Sequence, residues 1–262
     1  MCLLAFAIDS HPRYRLVLAA NRDEKFVRPT APAGFWPDDR RILAGRDLEA
    51  GGTWLGVSQN GRLAALTNYY APAEYATGKP SRGRLVADFL TSDTAPEAYL
   101  ERIHNQGERY NGYGLVFGDS SGLHFATNRG DSLYALPAGA HGLSNHLINT
   151  PWPKVVSLKA GLQRVLAHSD IIDPEELFTL LSDRTRYPEY LLPDTGVGID
   201  RERRLSSIFV TLPEFGTRCS TVILIDRDHR MTFVERSFDA RRNITGTVEF
   251  QLSMNDAVPS EA

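Results

Sequence analysis

Two apolar runs open the chain, Cys2-Leu3-Leu4-Ala5-Phe6-Ala7-Ile8 and Tyr14-Arg15-Leu16-Val17-Leu18-Ala19-Ala20, with Ser10-His11-Pro12 between them. Both are short and apolar almost without alternation, which suits strands covered on both faces. The second run ends in Asn21-Arg22-Asp23-Glu24, which as a pattern alone reads as a solvated turn. Residues 26–41, with Pro29, Pro32, Gly34, Trp36 and Pro37, read as an ordered loop. Asn60-Gly61 between two apolar runs predicts a hairpin of 52–58 with 62–68, the second strand ending at Asn68. Helices are expected over 82–91 and 95–106. Short strands follow at 113–117, 123–127, 133–135 and 141–144, the last ending at Asn145. Helical spacing returns at 153–168 and at 174–182, the latter capped by Asp173 with Pro174 in its first turn. Residues 183–204 read as loop. Strands are expected at 206–212, 217–226, 231–238 and 247–252, and 253–262 as a frayed tail.

This order predicts one α+β domain over 1–252, with two mostly antiparallel sheets stacked face to face and helices on both outer sides. Such a four-layer αββα sandwich covers every sheet face, so its strands need not alternate.

Composition narrows the function classes. The 262 residues are 42% hydrophobic and 23% charged, an ordinary globular balance. A formal net charge of −3, without a basic stripe, argues against nucleic acid as a partner. No apolar run approaches the roughly 20 residues of a membrane-spanning helix, so no integral membrane segment is expected. The first residues lack the basic start of a signal peptide. Two cysteines give no disulfide framework, and a reducing cytoplasm is the expected location. Seven scattered histidines, without HExxH or CxxC spacing, predict no metal site. A small molecule is the partner this leaves; the sequence fixes no oligomeric state.

Cys2 directly follows the initiator methionine. Removal of Met1 would put a thiol and a free α-amine on one residue, and an amine of reference pKa about 7.7–8.0 can take the thiol's proton near neutral pH. The alternative is a small buried residue at a strand start. Arg22 would favour thiolate and bind an anionic or carbonyl group, while Asp23 would hold the α-ammonium. Asn68 and Asn145 each close an apolar strand, where an amide can stabilise an oxyanion or simply form a turn. Arg218 opens a strongly apolar strand, so its charge belongs at the strand's mouth. Its neighbour Cys219 is expected on the opposite face, as a structural residue rather than a resolving thiol for Cys2.

The joint order Cys2, Arg22/Asp23, Asn68, Asn145, Arg218 accompanies several local motifs. They are Asn21-Arg22-Asp23-Glu24, Gly51-Gly52-Thr53-Trp54-Leu55-Gly56, Ser81-Arg82-Gly83, Leu143-Ser144-Asn145, Ser207-Ile208-Phe209-Val210 and Gly216-Thr217-Arg218. Over nearly its whole length the chain resembles the NRDE-domain family, also called the Transport and Golgi organisation protein 2 family. That family in turn is similar to the N-terminal nucleophile hydrolases, among them choloylglycine hydrolases and penicillin V acylases. The resemblance implies an N-terminal nucleophile hydrolase-like fold. It implies Cys2 as nucleophile with its own amine as base, Asp23 on that amine, Arg22 and Arg218 tuning the site, and Asn68 and Asn145 as oxyanion and amine contacts. In those hydrolases two residues separate the Arg from the Asp. Here Arg22 and Asp23 are adjacent, so an extended chain should point them to opposite faces. The implied activity is an amidohydrolase or acyltransferase on a small acylated substrate, with no cofactor required. Eukaryotic relatives suggest an alternative: a non-catalytic protein of haem or lipid handling, Golgi organisation and secretion. Haem would then sit on Cys2 or a histidine, walled by Trp54, Tyr69, Tyr70 and Trp152.

Overall fold

The apolar runs without alternation become the inner strands of two stacked sheets. The computed structural model describes residues 2–130 and 133–254. One sheet runs β10 (Gly139–Leu143), β1 (Cys2–Ile8), β2 (Tyr14–Lys25), β11 (Phe215–Asp226), β12 (Arg230–Phe238), β13 (Ile244–Ser253). The other runs β3 (Thr30–Phe35), β4 (Ile42–Asp47), β5 (Leu55–Ser58), β6 (Leu63–Asn68), β7 (Tyr113–Asp119), β8 (Gly122–Thr127), β9 (Leu133–Ala135). Every neighbouring pair in both sheets is antiparallel.

Helices cover the outer faces. α1 (Gly83–Thr91) and α2 (Pro96–Gln106) lie on the second sheet, and α3 (Pro153–His168) and α4 (Pro174–Leu181) on the first. Strand parity divides the core in three. Leu4, Phe6, Leu18 and Ala20 point between the sheets, towards Leu43, Val57 and Phe125. Leu3, Ala5, Val17 and Ala19 point the other way, onto Leu158, Leu162 and Leu177. Phe89, Tyr99 and Phe117 stack edge-on beneath α1 and α2. The result is the expected αββα sandwich, and double coverage explains why β1 and β2 carry apolar side chains in both phases. No described helix is long and apolar enough to cross a membrane.

Four local expectations give way. Asn21–Glu24 is no turn: β2 continues through it to Lys25, because β11 pairs with it residue by residue. The expected loop 26–41 contains β3, an edge strand whose register shifts between Ala31 and Gly34, around Pro32; a proline is tolerated at such a place. The expected strand 206–212 forms only the single bridge Thr211 to Gly216. The expected loop 183–204 holds a short helix, α5 (Ile199–Leu205). At the end of the chain β13 reaches Ser253, and Met254 N–H donates to the His229 carbonyl at 2.9 Å. The remainder of the expected tail, 255–262, and Met1 lie outside the described residues.

Candidate active site

β1, β2 and β11 lie side by side, and their register sets Cys2 opposite Arg22 and Arg22 opposite Cys219. All three face between the sheets, where Arg22 is buried and stacks on the Trp54 ring, 3.9 Å from its centroid. Its Nη1 donates to Thr30 Oγ1 at 2.8 Å. Trp54 reaches this position because Gly45 leaves it room: a Cβ at Gly45 would stand 2.4 Å from the ring. The Gly51-Gly52-Thr53 and Ser81-Arg82-Gly83 motifs meet backbone to backbone. A Cβ on Gly52 would fall 2.6 Å from the Gly83 carbonyl carbon, and Thr53 N–H donates to the Gly83 carbonyl at 3.3 Å. This contact brings Arg82 to the same cavity as Trp54. The cavity has a volume of about 360 Å³, and Cys2, Arg22, Asp23, Trp54, Asn68 and Arg82 are among its walls.

Arg22 and Asp23 do point oppositely, as the pleat requires. Asp23 faces the helix layer, is 1% exposed, and accepts a hydrogen bond from Thr217 Oγ1 at 2.7 Å. Because it lies near the end of the strand, it still borders the Cys2 cavity. Burial pushes the Asp23 carboxyl above its ordinary range, and the nearby Lys154 ammonium opposes that rise. On the same face Asn21 donates to the carbonyls of Leu181 (2.8 Å) and Ile208 (3.0 Å) and accepts from Ser220 Oγ (2.6 Å). Val210 N–H donates to Thr217 Oγ1 at 2.9 Å, and a Cβ at Gly216 would stand 2.6 Å from the Val210 carbonyl oxygen. The Asn21 and Thr217 side chains, with the Asp183 carbonyl on Phe209 N–H and Thr217 N–H on the Val210 carbonyl, thus satisfy segment 207–210, which is why it needs no strand ladder.

The other expected site residues divide. Asn68 ends β6 at the cavity wall, and its carbonyl accepts from Asn145 Nδ2 at 2.9 Å. Asn145, buried with φ +51, lies behind Asn68 and lines a smaller neighbouring cavity with Lys154 and Glu202. Asparagine tolerates that left-handed conformation better than most residues. Arg218 is not on the Cys2 cavity. It is the extra residue of a bulge between Thr217 and Cys219, and its Nη1 donates to the carbonyls of Lys25 (2.8 Å), Phe26 (3.3 Å) and Arg28 (3.0 Å). The bulge takes Arg218 out of strict alternation with Cys219, and the two line one cavity with Glu235.

Two residues join the site that sequence reasoning did not select. Arg82 sat within a quoted motif without a role; burial lowers its pKa, and the charges of Tyr75 and Cys2 act on it. Lys154 is 5% exposed on α3 and lies four residues before the buried Leu158. That spacing put a lysine on the helix's apolar stripe, and this was the signal for it.

Burial pushes the Cys2 thiol up, Asp23 adds to the rise, and Arg22 works against it. A thiol beside a cation, with a carboxylate and a strand-end amide on the same cavity, is a set suited to acyl chemistry. The aromatic residues expected around haem divide: Tyr69 and Trp152 flank the His146 ring, 4.8 and 5.7 Å between centroids, and Trp54 stands apart from them. Trp54 is at the Cys2 cavity under Arg22, Tyr70 and Trp152 border the smaller cavity, and Tyr69 donates or accepts at His146 Nε2, 2.9 Å away. Among the described residues no group of three or more His, Cys, Asp or Glu could hold a metal ion.

The family model for Transport and Golgi organisation 2 matches residues 1–240. A Transport and Golgi organization 2 homolog of Mus musculus is 37% identical, over 96% of this chain and 99% of its own. The Homo sapiens homolog is 38% identical over the same shares. Among solved structures, the C2A mutant of conjugated bile acid hydrolase from Clostridium perfringens is similar at a TM-score of 0.46 and 10% identity, covering 98% of this chain and 94% of that one. At that TM-score the likeness adds nothing to the strand order described above.

Proposed function

From the premise that the chain belongs to the Transport and Golgi organisation 2 family, we propose that it is an amidohydrolase or acyltransferase with Cys2 as its nucleophile. One observation carries this reading: Cys2, Arg22, Asp23 and Asn68 border a single open cavity. With Met1 removed, the α-amine of Cys2 takes the thiol proton. The thiolate then attacks the substrate carbonyl, forming a C–S bond and an oxyanion. The Asn68 amide is the donor offered to that oxyanion. The resulting ammonium, held by Asp23, returns its proton to the leaving group as the C–N or C–O bond breaks. Water or an amine then cleaves the thioester. Arg22, on the same face as Cys2, favours the thiolate against the effect of burial.

The cavity also suggests which acyl compounds suit it. Lys79 and Arg82 line it, and their hydrogen bonds run to the carbonyls of Glu108, Tyr110 and Gly112 rather than to carboxylates. Glu24, Asp47 and Glu49 line the cavity as well, so its charge is mixed and a small polar acylated substrate is what it suits. A reducing cytoplasm would keep the nucleophile a thiol.

The test is a panel of acyl amides and thioesters, anionic and neutral, assayed with the purified chain and its Cys2→Ala variant. Turnover that survives Cys2→Ala at full rate would sink the reading.

A further inference from the structure

Lysine is almost never buried without a partner, because a desolvated ammonium costs several kcal/mol by the general estimate. Lys154 sits in the first turn of α3, and its Nζ donates to the Leu205 carbonyl at 3.0 Å. One carbonyl does little to offset such a charge. Three groups from three other elements act on the ammonium: Asp23 of β2, Glu202 of α5 and Cys2 of β1. Glu202 is itself buried, and its Oε1 accepts from Thr195 N–H at 3.0 Å and from Thr195 Oγ1. Residues 195–205 are thereby folded over Lys154. On the other side Asp23 is held by Thr217 Oγ1, and Asn145, whose amide supports the Asn68 carbonyl, shares the Lys154 cavity.

We infer that Lys154 is a positioning residue: it ties segment 195–205 to the Asn145–Asn68 wall beneath the Cys2 site and supplies a cation to the field around the nucleophile. It touches no reacting atom in this role and acts through the packing of that wall and the local field. The inference rests on the Cys2 site proposed above, but not on turnover there.

The test is the pH dependence of Cys2 alkylation by iodoacetamide in the full chain, read by peptide mass. The groups acting on Cys2 include the N-terminal amine, Asp23, Arg22 and Glu24 of β2, Arg82 before α1, and Lys154 itself. Lys154→Met removes one cation from that set. Alkylation near neutral pH should slow by about tenfold, equivalent to one unit in the thiol's apparent pKa. Lys154→Arg should restore most of the wild-type profile. A folded Lys154→Met protein with an unchanged profile would overturn the inference. If Lys154→Met does not fold, the double variant Asp23→Asn/Lys154→Met decides. Recovery of folding supports a coupled pair, and no recovery contradicts it. Neither readout needs catalysis, so an inert chain with a shifted profile would refute the enzyme reading and leave this one standing.

Discussion

The two cysteines make a natural comparison. Cys2 and Cys219 flank Arg22 on the same face of the same sheet, one strand away on either side. With neighbouring strands about 4.8 Å apart, their backbones are separated by about 10 Å, beyond the reach of a disulfide. Burial raises both thiols, but their company differs. Cys2 is partly exposed on a cavity bordered by Arg22 and Arg82. Cys219 is buried beside Glu235, whose charge adds to the rise, and its thiol is pushed well above the ordinary range. Sharing an arginine is therefore not enough to make a nucleophile. Access and the sign of the remaining neighbours separate a reactive thiol from a packed one.

Exchanging the thiols should break the symmetry most strongly. Cys2→Ala should lower kcat by at least about 10³-fold, as loss of a nucleophile does. Cys219→Ala should keep turnover and cost about 1 kcal/mol, or about 2–4 °C in Tm for a chain of this size. Steady-state kinetics and thermal melts on the pair check both halves. Next, Thr217→Val removes the hydroxyl that Asp23 accepts from and that Val210 N–H donates to. Leaving those buried groups short of partners should cost about 1–3 kcal/mol in denaturant unfolding. Gly45→Ala should cost a similar 1–3 kcal/mol or so by forcing Trp54 from its notch. The sharper readout there is slower alkylation of Cys2, since Arg22 would lose its aromatic support.

The smallest effect is a pH slope on the Cys219 side. Burial holds the Glu235 carboxyl above its usual range, so the folded chain keeps a proton that the unfolded chain releases near pH 4.3 or so. The stability this contributes is complete below that pH and is lost as pH rises through the raised folded value. Glu235→Gln should therefore flatten Tm against pH from about 4 upward, relative to wild type. Identical slopes would contradict the assignment.

Much of the architecture was legible because burial on both faces leaves a direct trace in composition. The runs at 2–8 and 14–20, the Asn60-Gly61 hairpin and the apolar stripe of α3 all read correctly. The misread segments are those held by tertiary contacts. Asn21–Glu24 looks polar enough for a turn, yet each residue there is matched by β11 or by a buried partner. Residues 207–210 look apolar enough for a strand, but their backbone groups bond to Asn21, Thr217 and the Asp183 carbonyl instead. In the site, Cys2, Arg22, Asp23 and Asn68 converge from three strands, as their positions at strand ends suggested. The displacement of Arg218 was not legible, because one inserted residue changes which face its neighbours share. Arg82 and Lys154 carry no motif of catalytic spacing, and only the packed structure brings their charges to the cysteine.

The most direct test of the central claim is intact-mass spectrometry of the purified chain before and after exposure to an activated acyl ester. Before exposure the mass should equal a chain beginning at Cys2. Afterwards it should rise by one acyl group, mapped to the Cys2 peptide and absent from Cys2→Ala. A chain that retains Met1, or an acyl group found on Cys219 or on no cysteine, would contradict the account.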